Sequence, residues 1–293
     1  MNLLRVFEQF PDQASCIAHL ENLRFGPKPY CPLCRGFKVA RKSDSCRVGR
    51  WNCYDCGSSF NVLSGTIFQK TKIPLQKWFL AISLLLDAKK SLSSYQLSRN
   101  LNLNQGSTWY LLQRIRVEMV SKQSDIVLQG IVEADESYIG GSPSTNSACK
   151  TSKSFSGRGT PKLAVLGVVQ RRGEVSAQVV DNLSAEGIVN FLRKSVNPEG
   201  SHLITDGFRS YLSVRPYIKH TVFKRYSKKF RRGIHTNTIE GFWAGFKRSW
   251  YGTHHRYSRK YAFLYVAECC YKYNSRNDPK PFETFLKDCF EVA

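Results

Sequence analysis

Residues Ser201–Tyr211 read SHLITDGFRSY, and this stretch determines how the C-terminal half of the chain is interpreted. Its short apolar run, Leu203–Ile204, stops at Asp206-Gly207, a pattern that predicts a buried strand ending in a turn. A carboxylate at the end of a buried strand is costly unless water, a cation or a hydrogen bond meets it. Because Asp-Gly is also ordinary turn chemistry, Asp206 alone leaves both a turn residue and a site residue open.

A second acidic strand is predicted upstream, in Gly130–Gly141, which reads GIVEADESYIGG. Alternation along a strand places Glu133, Asp135 and Ser137 on one face. Two carboxylates on one face repel each other unless a cation or water separates them. The sequence therefore offers acids on two predicted strands of one domain.

The segments between these strands complete a mixed α/β sheet. Lys162–Gln170 and Glu174–Val180 read as two strands joined by a turn, and Ser184–Ser195 reads as a helix that its first serine caps. Residues 141–162 are rich in Ser, Thr, Gly and Lys, which is typical of a flexible basic loop. The order strand, hairpin, helix, strand predicts an α/β fold with acids at the strand ends.

The chain is strongly basic. Its 293 residues include 44 Lys and Arg against 22 Asp and Glu, a net charge of +22, which predicts a polyanionic partner and most often nucleic acid. Residues 207–239 carry nine of these cations and no acid, and aromatic side chains lie between them, as suits phosphate pairing and base stacking. No apolar run approaches the ~20 residues of a membrane span, and we expect no secretory signal.

Four cysteines form a metal-binding pattern. Cys31 and Cys34, then Cys53 and Cys56, make two C-x2-C pairs with 18 residues between them. Four thiolates at this spacing close a tetrahedral zinc site, which is structural because no coordination position stays open for catalysis. The other six cysteines are scattered, which favours a reducing intracellular compartment over a disulfide framework.

The middle of the chain is predicted to be helical. Pro74 begins one helix, and Ser91–Met119 predicts two short helices around a turn at Asn102–Asn104. This pattern matches a helix-turn-helix, and an ordinary helical bundle is the alternative that it leaves open. In a helix-turn-helix, the second helix would present four side chains outward: Gln105, Ser107, Thr108 and Arg114.

Asn237-Thr-Ile-Glu240 opens a further helix with an aromatic stripe. With Asn237 at the N-cap and Glu240 three residues later, this start resembles a capping box, which is a structural role. Lys247, however, lies seven residues after Glu240 and two turns along the same face. A carboxylate and an ammonium placed in this way would hold a metal and a phosphate side by side, so both roles of Glu240 stay open.

Further motifs follow in order along the chain: the two cysteine pairs, Val132–Gly141, Thr205–Tyr211, His235–Trp243 with Lys247, Tyr251–His254 and Tyr273–Arg276. Each motif alone is weak, but the ordered set is specific and spans roughly residues 10–280. The set resembles the prokaryotic insertion-sequence transposases of the 1595 family, which have an N-terminal zinc ribbon and an ISXO-like DDE domain.

The resemblance implies an RNase H-like fold in which Asp135, Asp206 and Glu240 are the catalytic carboxylates and Lys247 is the accompanying basic residue. It also implies two Mg²⁺ or Mn²⁺ ions, with Asp135 bridging both while Asp206 and Glu240 each hold one. Some members of the family carry Asn at the third acidic position. Asn237 therefore competes with Glu240 for that assignment.

The predicted organisation has four parts: a helical lead-in at 1–27, a zinc ribbon at 28–68, a helical helix-turn-helix-like segment at 70–125, and an RNase H-like DDE domain at 128–290. The resemblance implies double-stranded DNA as the partner, both transposon ends and target, and an oligomer assembled on that DNA. It further implies a cytoplasmic, nucleoid-associated prokaryotic protein with no membrane partner.

Two other functions share these features. One is a non-catalytic zinc-ribbon DNA-binding protein or a domesticated transposase, which would keep the charge and the ribbon without chemistry. The other is an RNase H-like nuclease or resolvase, which would use the same acids but transfer no strand.

Overall fold

The computed structural model describes residues 3–42, 49–123, 126–140, 162–223 and 233–291. Contacts divide the chain into two compact units, Met1–Ser121 with Asn277–Ala293, and Lys122–Arg276. The segment after Arg276 thus groups with the N-terminal unit, whereas the predicted DDE domain extends to residue 290. The predicted domain boundaries stay a prediction. Within the described ranges, no helix is both long and apolar enough to cross a membrane.

The N-terminal unit combines short helices with a small antiparallel sheet. Its described elements are α1 (Leu3–Gln9), α2 (Gln13–Phe25), β1 (Val39–Arg41), β2 (Arg50–Cys53), β3 (Ser59–Asn61), α3 (Leu75–Asp87), α4 (Ser94–Leu101) and α5 (Gln105–Ser121). Strand β2 pairs antiparallel with β1 and with β3, so the sheet order is β1-β2-β3. Strands this short need a further tie to hold together, which the ribbon cysteines are placed to supply.

Helices α4 and α5 form the predicted pair around a tight turn. Asn102 ends α4 in the left-handed region, at φ 47° and ψ 59°. Asn104 Oδ1 then accepts the amide of Ser107 at 2.7 Å, as an N-cap does. The turn and its cap are therefore confirmed.

The outward-facing set predicted on α5 is wrong in part. Thr108 is fully buried, and its hydroxyl donates to the Asn104 carbonyl at 3.0 Å. Arg114 turns back onto its own unit and donates to the carbonyls of Thr66 and Gln69 at 3.2 and 3.1 Å. Spacing along a helix gives the angular position of a side chain but not the neighbour that covers it, which is why both were misplaced.

The C-terminal unit is built on a five-stranded mixed sheet. Its elements are β4 (Ile131–Ile139), β5 (Leu163–Gln170), β6 (Val175–Val180), α6 (Ala185–Ser195), β7 (His202–Thr205), β8 (Lys219–Val222), α7 (Asn237–Ser249) and α8 (Ala262–Asn274), and α9 (Pro281–Asp288) follows in the other unit. The order is β6-β5-β4-β7-β8. The first three strands of this unit pair antiparallel, and β4, β7 and β8 pair parallel. This arrangement is RNase H-like, as predicted.

Helices cover both faces of this sheet. On one face, Val165 and Val169 of β5 pack in a core with Trp243 of α7 and Val266 of α8. On the other face, the core contains the apolar side chains of α6 and of the 3-10 turn Arg209–Val214. Strand β5 reads as an almost continuous apolar run because it is buried on both sides.

Candidate active site

Two predicted acids meet where β4 and β7 lie side by side. The parallel register pairs Ala134 with Thr205, so the next residues along the two strands are Asp135 and Asp206. One oxygen each of Asp135, Asp206 and Glu136 lies within 4.8 Å of the others. Asp206 follows the end of β7, but Asp135 is the fifth of the nine residues of β4, so the expectation that both acids stand at strand ends is wrong for Asp135. The acids, 71 positions apart, converge because the parallel register places them side by side.

Asp206 serves the turn and the cluster together. Its Oδ1 accepts the amide of Phe208 at 2.9 Å, a side-chain turn that ends β7. The hydroxyl of Thr205 donates to the Asp206 carbonyl at 2.9 Å and fixes the backbone from the other side. The turn role and the cluster role are therefore compatible in one residue.

Glu136 is a member of the cluster that sequence reasoning missed. Alternation places it on the opposite face of β4 from Asp135, and the hydroxyl of the buried Tyr211 donates to its Oε2 at 3.3 Å. Burial, followed by the negative charge of Glu136, raises the pKa of Tyr211 well above its ordinary value, so the phenol keeps its proton. The signal available in the sequence was the adjacency of the two acids, Asp135 and Glu136, within one predicted strand.

The surroundings of Asp135 disfavour the ionised form of its carboxyl group. Burial, and then the charge of Glu136, raises the pKa of Asp135 to about 7, and Asp206 and Glu240 add to the effect. Desolvation and like charges both favour a protonated carboxyl group. A cation bound among these oxygens would remove that penalty, and carboxylate oxygens are the ligands that Mg²⁺ and Mn²⁺ prefer. The donor set therefore fits a hard divalent cation.

The third predicted acid lies at the start of α7. Glu240 is exposed in the first turn of α7, and its negative charge contributes to the raised pKa of Asp135. It is not one of the three residues, Asp135, Glu136 and Asp206, whose carboxylate oxygens lie within 4.8 Å of one another. Thr236 is the N-cap residue, and its hydroxyl donates to Glu240 Oε1 at 3.0 Å. The expected N-cap, Asn237, is instead the first helical residue, so the predicted capping box is wrong. The choice between Glu240 and Asn237 stays a prediction.

Lys247 is exposed in the last turn of α7. The seven residues that separate it from Glu240 correspond to about 10.5 Å along a helix axis. The two side chains therefore lie along one side of α7, and the role of Lys247 stays a prediction.

The remaining acid of β4 is engaged elsewhere. Glu133 is fully buried, and its carboxylate accepts the amides of Thr238 and Ile239 at the start of α7 as well as Nε of Arg171. The repulsion expected between Glu133 and Asp135 is thus offset by a guanidinium and a helix N-terminus.

The four ribbon cysteines come together as predicted. Their sulfurs lie within 4.8 Å of one another, with 3.8 Å between Cys31 and Cys56 and 3.5 Å between Cys34 and Cys53. Four Zn–S bonds of about 2.3 Å in a tetrahedron place the sulfurs about 3.8 Å apart, so the thiols fit zinc. The thiols titrate together. Hydrogen bonds from Ser58 lower the pKa of Cys56 to about 6, whereas at Cys34 a backbone hydrogen bond from Gly36 is outweighed by desolvation and by hydrogen bonds to the other cysteines, which raise its pKa to about 12. A bound cation would favour the thiolate form of all four.

Residues 127–274 match the family model described as ISXO2-like transposase domain, and residues 11–59 match the transposase zinc-ribbon domain. A curated relative from Halobacterium salinarum, described as an uncharacterized protein in transposable element ISH50, is 27% identical over 290 residues and covers 94% of each chain. Two solved structures are similar over 73% of this chain and 75% of theirs, each with a TM-score of 0.31. They are the Mos1 strand transfer complex, at 14% identity, and the Mos1 transposase paired-end complex with left transposon end, at 15%.

Proposed function

Since this chain belongs to the IS1595 family of transposases, and carries both its DDE domain and its zinc ribbon, we propose that it cuts and joins DNA at the ends of its own mobile element. The chain is a DDE-type transposase. The observation that carries the finer proposal is the convergence of Asp135 and Asp206 at the parallel β4–β7 edge, beside a helix that brings a third acid.

We assign the catalytic cation site to Asp135 and Asp206, with Glu240 as the third carboxylate. Two Mg²⁺ or Mn²⁺ ions bound there would stabilise the charge on the attacking and leaving oxygens of a phosphodiester. Asp135 sits on the central strand of the sheet and Asp206 on a turn held by two hydrogen bonds, so both are pre-positioned by the fold. Lys247 would contact a phosphate as a point charge.

The reaction has two phosphoryl transfers. In the first, water attacks at the element's end and breaks the P–O3′ bond, which leaves a 3′-hydroxyl and a 5′-phosphate. In the second, that 3′-hydroxyl attacks a phosphodiester of the target, forms a new P–O bond and releases the target's own 3′-oxygen. In each step the attacking oxygen gives up its proton to solvent and the leaving 3′-oxygen takes one up, so no redox partner is required.

Double-stranded DNA is the proposed partner, both as transposon ends and as target. The net charge of +22 supports this proposal, because release of counterions from DNA favours binding by a strongly basic protein. The helical pair α4–α5 has the length and turn of a DNA-reading motif. Because the reaction must act on two ends, we propose that the protein assembles into an oligomer on DNA, in association with the nucleoid.

The test is a joining reaction with the full chain, a duplex carrying the element's terminal inverted repeat, a labelled target plasmid, and Mg²⁺ or Mn²⁺. We expect metal-dependent nicking and joined products, both lost in Asp206→Asn while DNA affinity is retained. Asp181→Asn is the matched control, because Asp181 is an acid of the same unit whose side chain is 93% exposed.

Each other result assigns a different function. Nicking without joined products would indicate the nuclease or resolvase. Tight DNA binding with no metal-dependent nicking would indicate a non-catalytic DNA-binding protein. Full activity in Asp206→Asn would refute the assigned cation site.

A further inference from the structure

Glu133 is a buried carboxylate whose hydrogen-bonding capacity is filled by protein groups. Its side chain is fully buried, and four donors within hydrogen-bonding distance satisfy its carboxylate. Oε1 accepts Nε of Arg171 at 2.6 Å and the hydroxyl of Thr238 at 3.0 Å. Oε2 accepts the amides of Thr238 and Ile239 at 2.8 and 3.1 Å. Since an unpaired buried charge is strongly destabilising, displacing these donors from Glu133 would be costly, and the contacts therefore fix both sides in place.

Helix α7 takes its cap from this strand residue. The first amides of a helix have no partner within the helix, and a nearby side chain usually supplies one. The N-cap residue, Thr236, makes no capping bond with its side chain. Glu133 supplies it from β4, 105 positions before Thr238, and its negative charge also suits the positive end of the helix dipole.

Arg171 ties down the segment that leads into α7. It lies in the turn after β5, and besides Glu133 it donates to two backbone carbonyls. Nη1 reaches Gly233 at 2.7 Å and Nη2 reaches His235 at 2.8 Å. His235 Nδ1 lies 3.0 Å from Nη2 and 3.4 Å from the carboxylate of Glu133. The planar fork of an arginine can serve all of these acceptors in one geometry, which a lysine cannot do.

A second contact between α7 and the sheet involves Trp243, about one helical turn after the first. Gly167 is the partner of Asp135 in the β4–β5 ladder, and a Cβ there would lie 2.7 Å from Cζ2 and Cη2 of Trp243. The indole therefore rests directly on the strand beside Asp135. Glu133 lies two residues before Asp135, and Gly167 lies opposite Asp135. Together they fix the distance of α7 from the sheet and the orientation of this helix, which carries Glu240.

From these contacts we propose that Glu133 and Arg171 are positioning residues: they fix the first turn of α7 against β4 and thereby set where Glu240 stands relative to Asp135. The pair binds no DNA and no cation itself. The effect of this pair on catalysis is exerted through the position of Glu240 and rests on the proposed function. Its effect on the stability of the first turn of α7 does not rest on that function.

The first experiment measures the helix alone, by amide hydrogen exchange of the full chain without added cation. In Glu133→Gln, the amides of Thr238 and Ile239 should exchange at least about tenfold faster, because an amide NH₂ cannot replace an acceptor facing several donors. The amides of α8 should be unchanged. Unchanged exchange at the start of α7 would overturn the inference, whatever the protein catalyses.

The second experiment measures Mn²⁺ binding to the same protein by calorimetry. Outer partners of metal ligands commonly contribute about 10–100-fold in metal affinity, so Glu133→Gln should weaken Mn²⁺ binding within that range. In a Glu240→Gln background, the same change should weaken it less than about threefold, because the ligand to be positioned is already lost. Equal effects in both backgrounds would indicate general destabilisation and refute positioning.

The matched control is Glu268→Gln. Glu268 is also buried in this unit, at 1% exposure, and forms an ion pair with Lys272 at 2.7 Å on α8. It should leave Mn²⁺ affinity within about threefold of wild type. Arg171→Lys, which keeps the charge but loses the fork, should reproduce the pattern of Glu133→Gln more weakly and replaces it if that variant does not fold. If exchange rises while Mn²⁺ binding and DNA cleavage stay unchanged, the assignment of Glu240 fails and the attachment of α7 to β4 stands.

Discussion

Substituting Gly167 by alanine tests how closely α7 lies on the sheet. The added Cβ would stand 2.7 Å from two carbons of the Trp243 ring, well inside the contact distance of two carbon atoms. Gly167 lies within β5, where its φ is compatible with any residue, so the backbone itself is not strained by alanine. The clash must therefore move the indole, and with it the helix that carries Glu240.

The expected loss of stability is modest and measurable. Overpacking a core typically costs about 1–3 kcal/mol, and replacing a strand glycine offsets roughly 0.5–1 kcal/mol of it. The middle of both ranges gives a net loss of about 1 kcal/mol, which lowers the Tm of a unit of this size by about 2–4 °C. We also expect weaker Mn²⁺ binding, since the third acid shifts with the helix.

Scanning calorimetry of the full chain measures the change, with Gly241→Ala as control. Gly241 lies in α7, and nothing lies within 4 Å of the position that an added Cβ would occupy. Alanine there should therefore stabilise the protein by up to about 1 kcal/mol. Trp243→Phe removes the clashing atoms, so Gly167→Ala should cost less in that background. An equal cost in both backgrounds, or no cost in the native one, would refute the packing described for α7.

Three further predictions concern the acids, the ribbon and a half-buried histidine. Glu240→Gln should reduce end cleavage at least about 100-fold and Glu136→Gln less than about tenfold, in a gel assay of the labelled end; the reverse ranking would make Glu136 the third ligand. Cys53→Ser should abolish bound zinc measured by mass spectrometry, while Cys289→Ser, buried outside the ribbon, should not; zinc retained in Cys53→Ser would contradict the four-thiolate site. Burial first, and then nearby cations, lower the pKa of His220 in the folded protein to about 4. Because the pKa of a histidine in the unfolded chain is near 6.5, the unfolded state binds a proton more readily. The free energy of unfolding is therefore unaffected by this group above about pH 6.5 and falls as the pH drops towards 4. Between about pH 7.5 and 5, urea unfolding should show wild type losing about 1 kcal/mol more than His220→Gln, because solvent screens a half-buried group, and equal losses would contradict this cause.

The parts of the site that were predictable depend on local signals. Asp206 follows an apolar run and begins a turn, and the spacing of the ribbon cysteines indicates a metal site. Asp135 follows from alternation in a strand bounded by glycines. The two strand signals each lie within about a dozen residues and the four cysteines lie within 26, and patterns of this kind indicate strands and metal knuckles well.

The parts that were missed depend on contacts between distant segments. Alternation gave Glu133 its face but not its partners, Arg171 and the start of α7, which lie 38 and 105 positions away. Strand β8 lies in a basic segment without an apolar run, so only its pairing with β7 reveals it. The cap of α7 was misassigned because the local pattern suggested Asn237, whereas a carboxylate from another strand provides the cap.

Anomalous scattering from Mn²⁺ in crystals of the full chain is the most direct test of the cation site. We predict a Mn²⁺ peak within bonding distance of carboxylate oxygens of both Asp135 and Asp206, and its loss in Asp206→Asn. A strong peak elsewhere with none between these two aspartates, or an unchanged peak in Asp206→Asn, would contradict the site on which the proposed chemistry depends.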